Sequence, residues 1–211
     1  MESIEVNNAQ VHTVKNYYKW HARIYQATRW TFLFGRRRVI HALKLPMLSD
    51  KTLLEVGCGT GHNLSTLTRY YPNLHLIGLD ISPDMLAVAA KKLQRFSRRV
   101  LFLEKPYGPE TGRLPVKPDI ILFSYCLTMM NPGWEEALQR AYDDLVEGGE
   151  IAVVDFHGSP YGFFRRWMGM NHVRMDEHLV PVLQHRFTSI HLEVHHAFGG
   201  LWSYFMFVGR K

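Results

Sequence analysis

With 211 residues, 46% hydrophobic and 21% charged, the chain is long enough for one domain with a full core and carries no low-complexity bias. Its longest apolar runs, such as Ile120–Tyr125 and Ile151–Phe156, are strand-length, far short of the roughly 20 residues a membrane-spanning helix needs. A net charge of +6 points to a polyanionic partner, nucleic acid or an acidic membrane surface, without choosing between them.

In chain order, the polar start Met1–Val11 lacks the basic and apolar pattern of a secretory signal. His12–Leu48 reads as helical, basic and aromatic-rich, closed by Pro46. Thr52–Val56 is a short apolar strand that runs into a glycine-rich turn. Asn63–Tyr71 reads as a helix, Leu74–Leu79 as a second strand and Pro83–Phe96 as a second helix. Val100–Leu103 is a third strand, and Tyr107–Lys117, with its Gly and Pro, an irregular connection. Ile120–Ser124, a helix over Glu135–Leu145, and Ile151–Phe156 follow. Buried-type strands alternating with helices imply a parallel sheet covered on both faces. Phe187–His196 and Leu201–Val208, parted by Gly199-Gly200, predict a terminal antiparallel hairpin. The two cysteines, Cys58 and Cys126, have neither disulfide-framework nor metal-site spacing and read as small buried residues in a reducing compartment; no metal site is expected.

The chemistry concentrates in Leu53-Leu54-Glu55-Val56-Gly57-Cys58-Gly59-Thr60-Gly61, between the first strand and the following helix. Glycines there let the backbone approach a ligand, and the N–H groups of loop and helix start face it. The spacing is not the G-x-G-x-x-G of dinucleotide enzymes. Asp80 ends the second strand, 19 residues after Gly61, where an acid accepts hydrogen bonds from ribose hydroxyls. It also precedes Ser82-Pro83 and so suits a helix cap.

The loop resembles the E-x-G-x-G-x-G signature of class I S-adenosylmethionine-dependent methyltransferases. That resemblance implies a doubly wound, seven-stranded, mostly parallel α/β sheet (Rossmann-like) with a reversed last strand, and S-adenosyl-L-methionine as cofactor. It implies one methyltransferase domain over 1–211, with an N-terminal helical lid over 1–48 and the core over 49–211. Gly57, Cys58, Gly59, Thr60 and Gly61 would hold the methionine part, with Glu55 orienting the loop. Asp80 would hold the ribose, Ile81 and Met85 would flank the adenine, and Ser124 and Tyr18 would complete the cofactor site. Many relatives carry an acid after the third strand that contacts the adenine amine. Here Leu103-Glu104-Lys105-Pro106-Tyr107 lacks it at the usual place, which leaves backbone carbonyls or Tyr107 as substitutes.

The run Tyr17-Tyr18-Lys19-Trp20-His21-Ala22-Arg23-Ile24-Tyr25-Gln26-Ala27-Thr28-Arg29-Trp30-Thr31-Phe32-Leu33-Phe34-Gly35-Arg36 resembles the N-methyltransferase family of betaine-lipid synthesis. That family converts diacylglyceryl-homoserine to diacylglyceryl-trimethylhomoserine. Bacterial phosphatidylethanolamine N-methyltransferases are close neighbours. An amine acceptor must lose a proton, and its methylated products are cations, which aromatic faces attract. Tyr18, Tyr25, Trp30 and Tyr125 are candidates for such a cage. His157, after the fifth strand, either takes the amine proton or only caps or packs. Arg29 either pairs with the homoserine carboxylate or makes a surface salt bridge.

A lipid substrate implies an anionic membrane surface as partner, a cytoplasmic and peripherally associated protein, and a functional link to the enzyme that supplies diacylglyceryl-homoserine. Arg36-Arg37-Arg38, Arg98-Arg99 and Phe163-Phe164-Arg165-Arg166-Trp167-Met168 are candidate contact stretches, whereas Lys91-Lys92 reads as a solvated charged face. Nucleic acid is not expected: Ser124-Tyr125-Cys126-Leu127 stands where such enzymes carry an Asn/Asp-Pro-Pro-aromatic run. A small-molecule O- or N-methyltransferase stays open on the same residues.

Overall fold

The computed structural model describes residues 33–211. Seven strands form one sheet: β1 (Thr52–Val56), β2 (His75–Asp80), β3 (Val100–Glu104), β4 (Ile120–Ser124), β5 (Glu150–Gly158), β6 (Thr188–Ala197) and β7 (Trp202–Arg210). Their spatial order is β3-β2-β1-β4-β5-β7-β6. The first five are parallel, with Val56 beside both Leu79 and Phe123. β7 runs antiparallel between β5 and β6. Strand order reverses between β1 and β4, and the carboxyl ends of both strands meet at that crevice, where open α/β sheets bind ligands.

Composition explains the layers. β4 and β7 are buried along almost their whole length, as expected of strands flanked on both sides. β6 is one of the two edge strands, and its polar and charged residues Thr188, Ser189, His191, Glu193 and His195 are mostly exposed, which protects the edge from pairing. One face of the sheet is covered by α4 (Trp134–Asp144) and α6 (Leu179–Arg186). There Trp134, Leu138, Leu179 and Leu183 pack with Leu54, Phe123 and Phe205.

The remaining α-helices among the described residues are α1 (Arg36–Ala42), α2 (His62–Tyr70), α3 (Pro83–Leu93) and α5 (Gly162–Met170). The start of α3 is written in its sequence: Ser82 Oγ accepts from the Met85 N–H at 3.4 Å, and Pro83 occupies the first turn.

Two elements depart from the sequence reading. Within the described part of the expected helix to Leu48, only Arg36–Ala42 is helical, and Leu43 ends it before Pro46. This helix packs on β5 and β7, burying Val39 and Ile40, and residues 35–211 form one compact unit. The segment between β5 and β6, to which periodicity assigned no element, contains both α5 and α6.

Candidate active site

The site grows from the β1–α2 turn. Gly57, Gly59 and Gly61 all take left-handed φ, +66°, +52° and +68°. A Cβ on Gly57 would lie 2.9 Å from that of Cys126, and one on Gly61 would lie 3.1 Å from that of Ala89. Both positions therefore need glycine for backbone angle and for space. The loop is pinned by the Cys58 N–H to the Leu79 carbonyl and the Gly61 N–H to the Cys58 carbonyl, each 3.0 Å.

Asp80 ties the loop to the next helix. Its Oδ2 accepts from the Gly59 N–H at 2.7 Å and its Oδ1 from the Ser82 N–H at 3.0 Å. A carboxylate has lone pairs beyond these two bonds, so the half-buried group can also accept from a diol. Ile81 beside it is 52% exposed and Met85 is buried, which leaves an apolar edge at the mouth. Beneath the loop, Glu55 is buried and accepts from Asn63 Nδ2 at 2.7 Å.

Groups that the sequence did not single out also converge here. His62 opens α2, and burial, followed by Arg36, Lys92, Arg37 and Arg69, pushes its imidazole down to about 4. Lys92, read as part of a solvated face, donates from Nζ to the Thr60 carbonyl at 2.6 Å. Burial raises the Cys58 thiol, with Glu55 and Asp80 adding to the effect, so Cys58 stays a neutral packing group.

These residues fit S-adenosylmethionine: a side-chain-free loop beside a half-buried carboxylate suits a ribose and an amino-acid tail. Tyr107 does not serve as an adenine contact. It is buried, its hydroxyl donates to Asp144 Oδ2 at 3.1 Å, and its ring packs edge-on to Phe123 at 6.0 Å.

At the ends of β4 and β5 lie Ser124, expected at the cofactor, and Tyr125 and His157, expected to meet the amine. Ser124 is buried, and its hydroxyl has no hydrogen-bond partner among the described residues. Tyr125 adopts φ +55°, unusual for a bulky side chain, while its N–H donates to the Val154 carbonyl at 2.8 Å. Its ring is 1% exposed and packs at 4.8 Å on Phe156, which in turn contacts Trp202.

His157 is placed differently. Pairing of β5 with β7 shifts register between Phe156 and Gly158, so His157 is the extra residue of a bulge. Bulges re-aim side chains beside active sites. Its ring contacts Phe205 at 5.9 Å, and Nε2 lies 3.9 Å from Glu177 Oε2. Trp202 and Phe205 sit on opposite faces of β7, so the Tyr125 and His157 rings pack on opposite faces of the sheet. Burial lowers the His157 pKa, with Glu177 opposing.

Asp155, also unforeseen, is fully buried and accepts from Thr128 Oγ1 at 2.5 Å, the Thr128 N–H at 3.2 Å and the Phe156 N–H at 2.8 Å. It fixes the turn Leu127–Met129 to β5. Tyr18, Tyr25, Arg29 and Trp30 lie outside the described residues.

Comparison with known proteins agrees with this geometry. Residues 54–151 match the family described as a methyltransferase domain. Trans-aconitate 2-methyltransferase of Afipia carboxidovorans is 29% identical over 110 residues, covering 52% of this chain. The chain therefore spans only 40% of that curated relative. N-methyltransferase NodS of Bradyrhizobium japonicum WM9, solved with S-adenosyl-L-homocysteine, superposes with TM-score 0.67 at 18% identity, covering 84% of this chain and 87% of that one. Phosphoethanolamine N-methyltransferase 2 of Haemonchus contortus gives 0.65 at 16%, covering 88% and 56%. Sheet order gives the class I methyltransferase fold, residues 54–151 match a methyltransferase domain, and the cofactor of proteins of that fold class is S-adenosylmethionine.

Proposed function

We propose that the chain transfers methyl groups from S-adenosylmethionine to the amine of diacylglyceryl-homoserine, giving diacylglyceryl-trimethylhomoserine. The observation that carries an amine acceptor is His157: a bulge at the carboxyl edge of the sheet holds an imidazole that burial keeps neutral. A neutral imidazole accepts a proton, and an amine must shed one at each methylation. The two solved N-methyltransferases with this fold support the same acceptor type. The lipid class rests on the Tyr17–Arg36 run.

The cofactor supplies an electrophilic methyl group. Gly57, Gly59 and Asp80 would hold it, and orientation would supply much of the rate. The acceptor amine would take that methyl group, and His157 would take the proton the amine sheds, directly or through water. Arg29 pairs with the homoserine carboxylate, and Tyr18, Tyr25 and Trp30 offer aromatic faces to the cationic product.

A second reading, methylation of a small carboxylic acid, is favoured by the trans-aconitate relative. The test offers radiolabelled S-adenosylmethionine with diacylglyceryl-homoserine, phosphatidylethanolamine or trans-aconitate. The expected product is trimethylated betaine lipid, with Arg29→Ala depressing it far more than any turnover of phosphatidylethanolamine. A preference for either of the other two acceptors overturns the betaine-lipid assignment.

A further inference from the structure

We infer that helix α5 is a docking element for an anionic lipid bilayer. The nine residues Gly162–Met170 are apolar on two sides of the helix. Phe164 and Met168 point inward and are buried, which is the ordinary face of a helix packed on a core. Phe163 and Met170, seven positions apart and hence on one side, are 70% and 66% exposed. Trp167 lies between them at 44%, and Tyr161, 47% exposed, packs beside Phe163 at 5.8 Å. Four large apolar or aromatic groups thus share one open surface.

Charge selects the occupant. The helix carries Arg165 and Arg166, both exposed, and no acid. On an α-helix Arg166 falls on the edge of the stripe formed by Phe163, Trp167 and Met170. An apolar stripe edged by arginine suits the interface of a bilayer with anionic headgroups: the rings enter the acyl boundary and the guanidinium meets phosphate. A protein partner would be expected to carry its own acids against these arginines, and that occupant is an outcome of the test.

Arg165 and Gly169, about 150° round the same helix from that stripe, line a cleft of about 790 Å³ together with Trp134, Glu135, His172 and Asp176. The cleft is built from the chain that follows β4 and β5, at the carboxyl edge of the sheet. Docking by the Phe163–Met170 stripe therefore leaves this side of the helix turned away from the membrane. The docking does not rest on the lipid acceptor proposed above.

The test is co-sedimentation of the full chain with vesicles of phosphatidylcholine, with and without phosphatidylglycerol. Binding is expected only with the anionic lipid and should weaken with added salt. Phe163→Ser with Met170→Ser should weaken it about tenfold or more, since burial of each large apolar side chain supports such a factor. Arg166→Glu should weaken it on anionic vesicles as well. Unchanged thermal unfolding shows that the variants fold. Turnover of detergent-dispersed diacylglyceryl-homoserine should be unaffected by the double variant. Undiminished vesicle binding by the double variant, or none by the wild type, overturns the docking role. So does a dimer that the double variant dissociates in a wild type indifferent to vesicles. If vesicle binding behaves as expected while no lipid amine is methylated, docking stands and the acceptor assignment falls.

Discussion

Asp80 does two jobs with one carboxylate, and one substitution removes both. Its oxygens hold the Gly59 and Ser82 N–H groups, so Asp80→Ala frees two backbone donors and removes the acceptor for a ribose. Calorimetric affinity for S-adenosyl-L-homocysteine should fall by about 1–3 kcal/mol, the usual cost of unpairing such groups; unchanged affinity would remove the ribose assignment. His157 is the second decisive residue. Its pKa is lowered by burial, so its imidazole holds its proton less firmly than an ordinary histidine, which titrates at about 6.5. The acid limb of turnover should therefore fall below that value. His157→Gln should lower kcat by about 100-fold, within the range for a lost general base. A variant with wild-type kcat and the same acid limb would place the proton acceptor elsewhere. The sign for stability is separate: a lowered histidine value means the contribution is full above the unfolded pKa and is lost as pH falls through the folded one.

At the scale of elements, legibility followed the length over which a signal acts. β1, β2, β4 and β5 were readable because each is a bounded apolar run, and the Gly199-Gly200 pair marked the β6–β7 turn, where φ is +66° and +94°. The glycine loop and Asp80 were readable for the same reason, since their chemistry sits in consecutive residues and at one strand end. His62, Lys92 and the Thr128–Asp155 bond were not, because each gains its role from partners brought near by folding. The His157 bulge depends on pairing with β7 and leaves no trace in the periodicity of β5. Helix α5 was obscured by apolar residues on two sides, which blurs a 3.6-residue pattern; the same doubling makes a sharp test. Phe164 is 6% exposed and Phe163 70%. Phe164→Ala should destabilise the fold by about 3–5 kcal/mol, the cost of emptying an aromatic site in a core. Phe163→Ala should stay within about 0.5 kcal/mol, as for surface changes. Urea unfolding of both variants measures the contrast, and equal losses would mean that Phe163 is part of the core.

Over the whole molecule, the reversal of strand order between β1 and β4 gathers Gly57, Asp80, Ser124 and His157 at one edge of the sheet. The fold must then hold the chain after β4 against β5, and Asp155 performs that task at an electrostatic cost. Burial raises its pKa to about 6, although bonds from Thr128 and the Phe156 N–H pull the other way. A carboxyl whose folded pKa exceeds its unfolded value near 3.9 favours the folded state in its protonated form. Its contribution is therefore full below about pH 4 and is lost as pH rises through about 6. A rise of that size is equivalent to on the order of 2–3 kcal/mol. His157 acts in the opposite direction on pH, so the wild-type profile alone mixes the two. Asp155→Asn cannot ionise and isolates the carboxyl. Urea unfolding should show the wild type losing stability relative to Asp155→Asn by that amount between about pH 4 and about pH 7. The absolute stability of the variant will also reflect how an amide meets the Thr128 donors, which is why the pH dependence of the difference is the quantity to measure. A difference that stays flat across this interval would mean that the Thr128 and Phe156 donors fully offset burial, and that Asp155 is ionised in the folded protein at no cost.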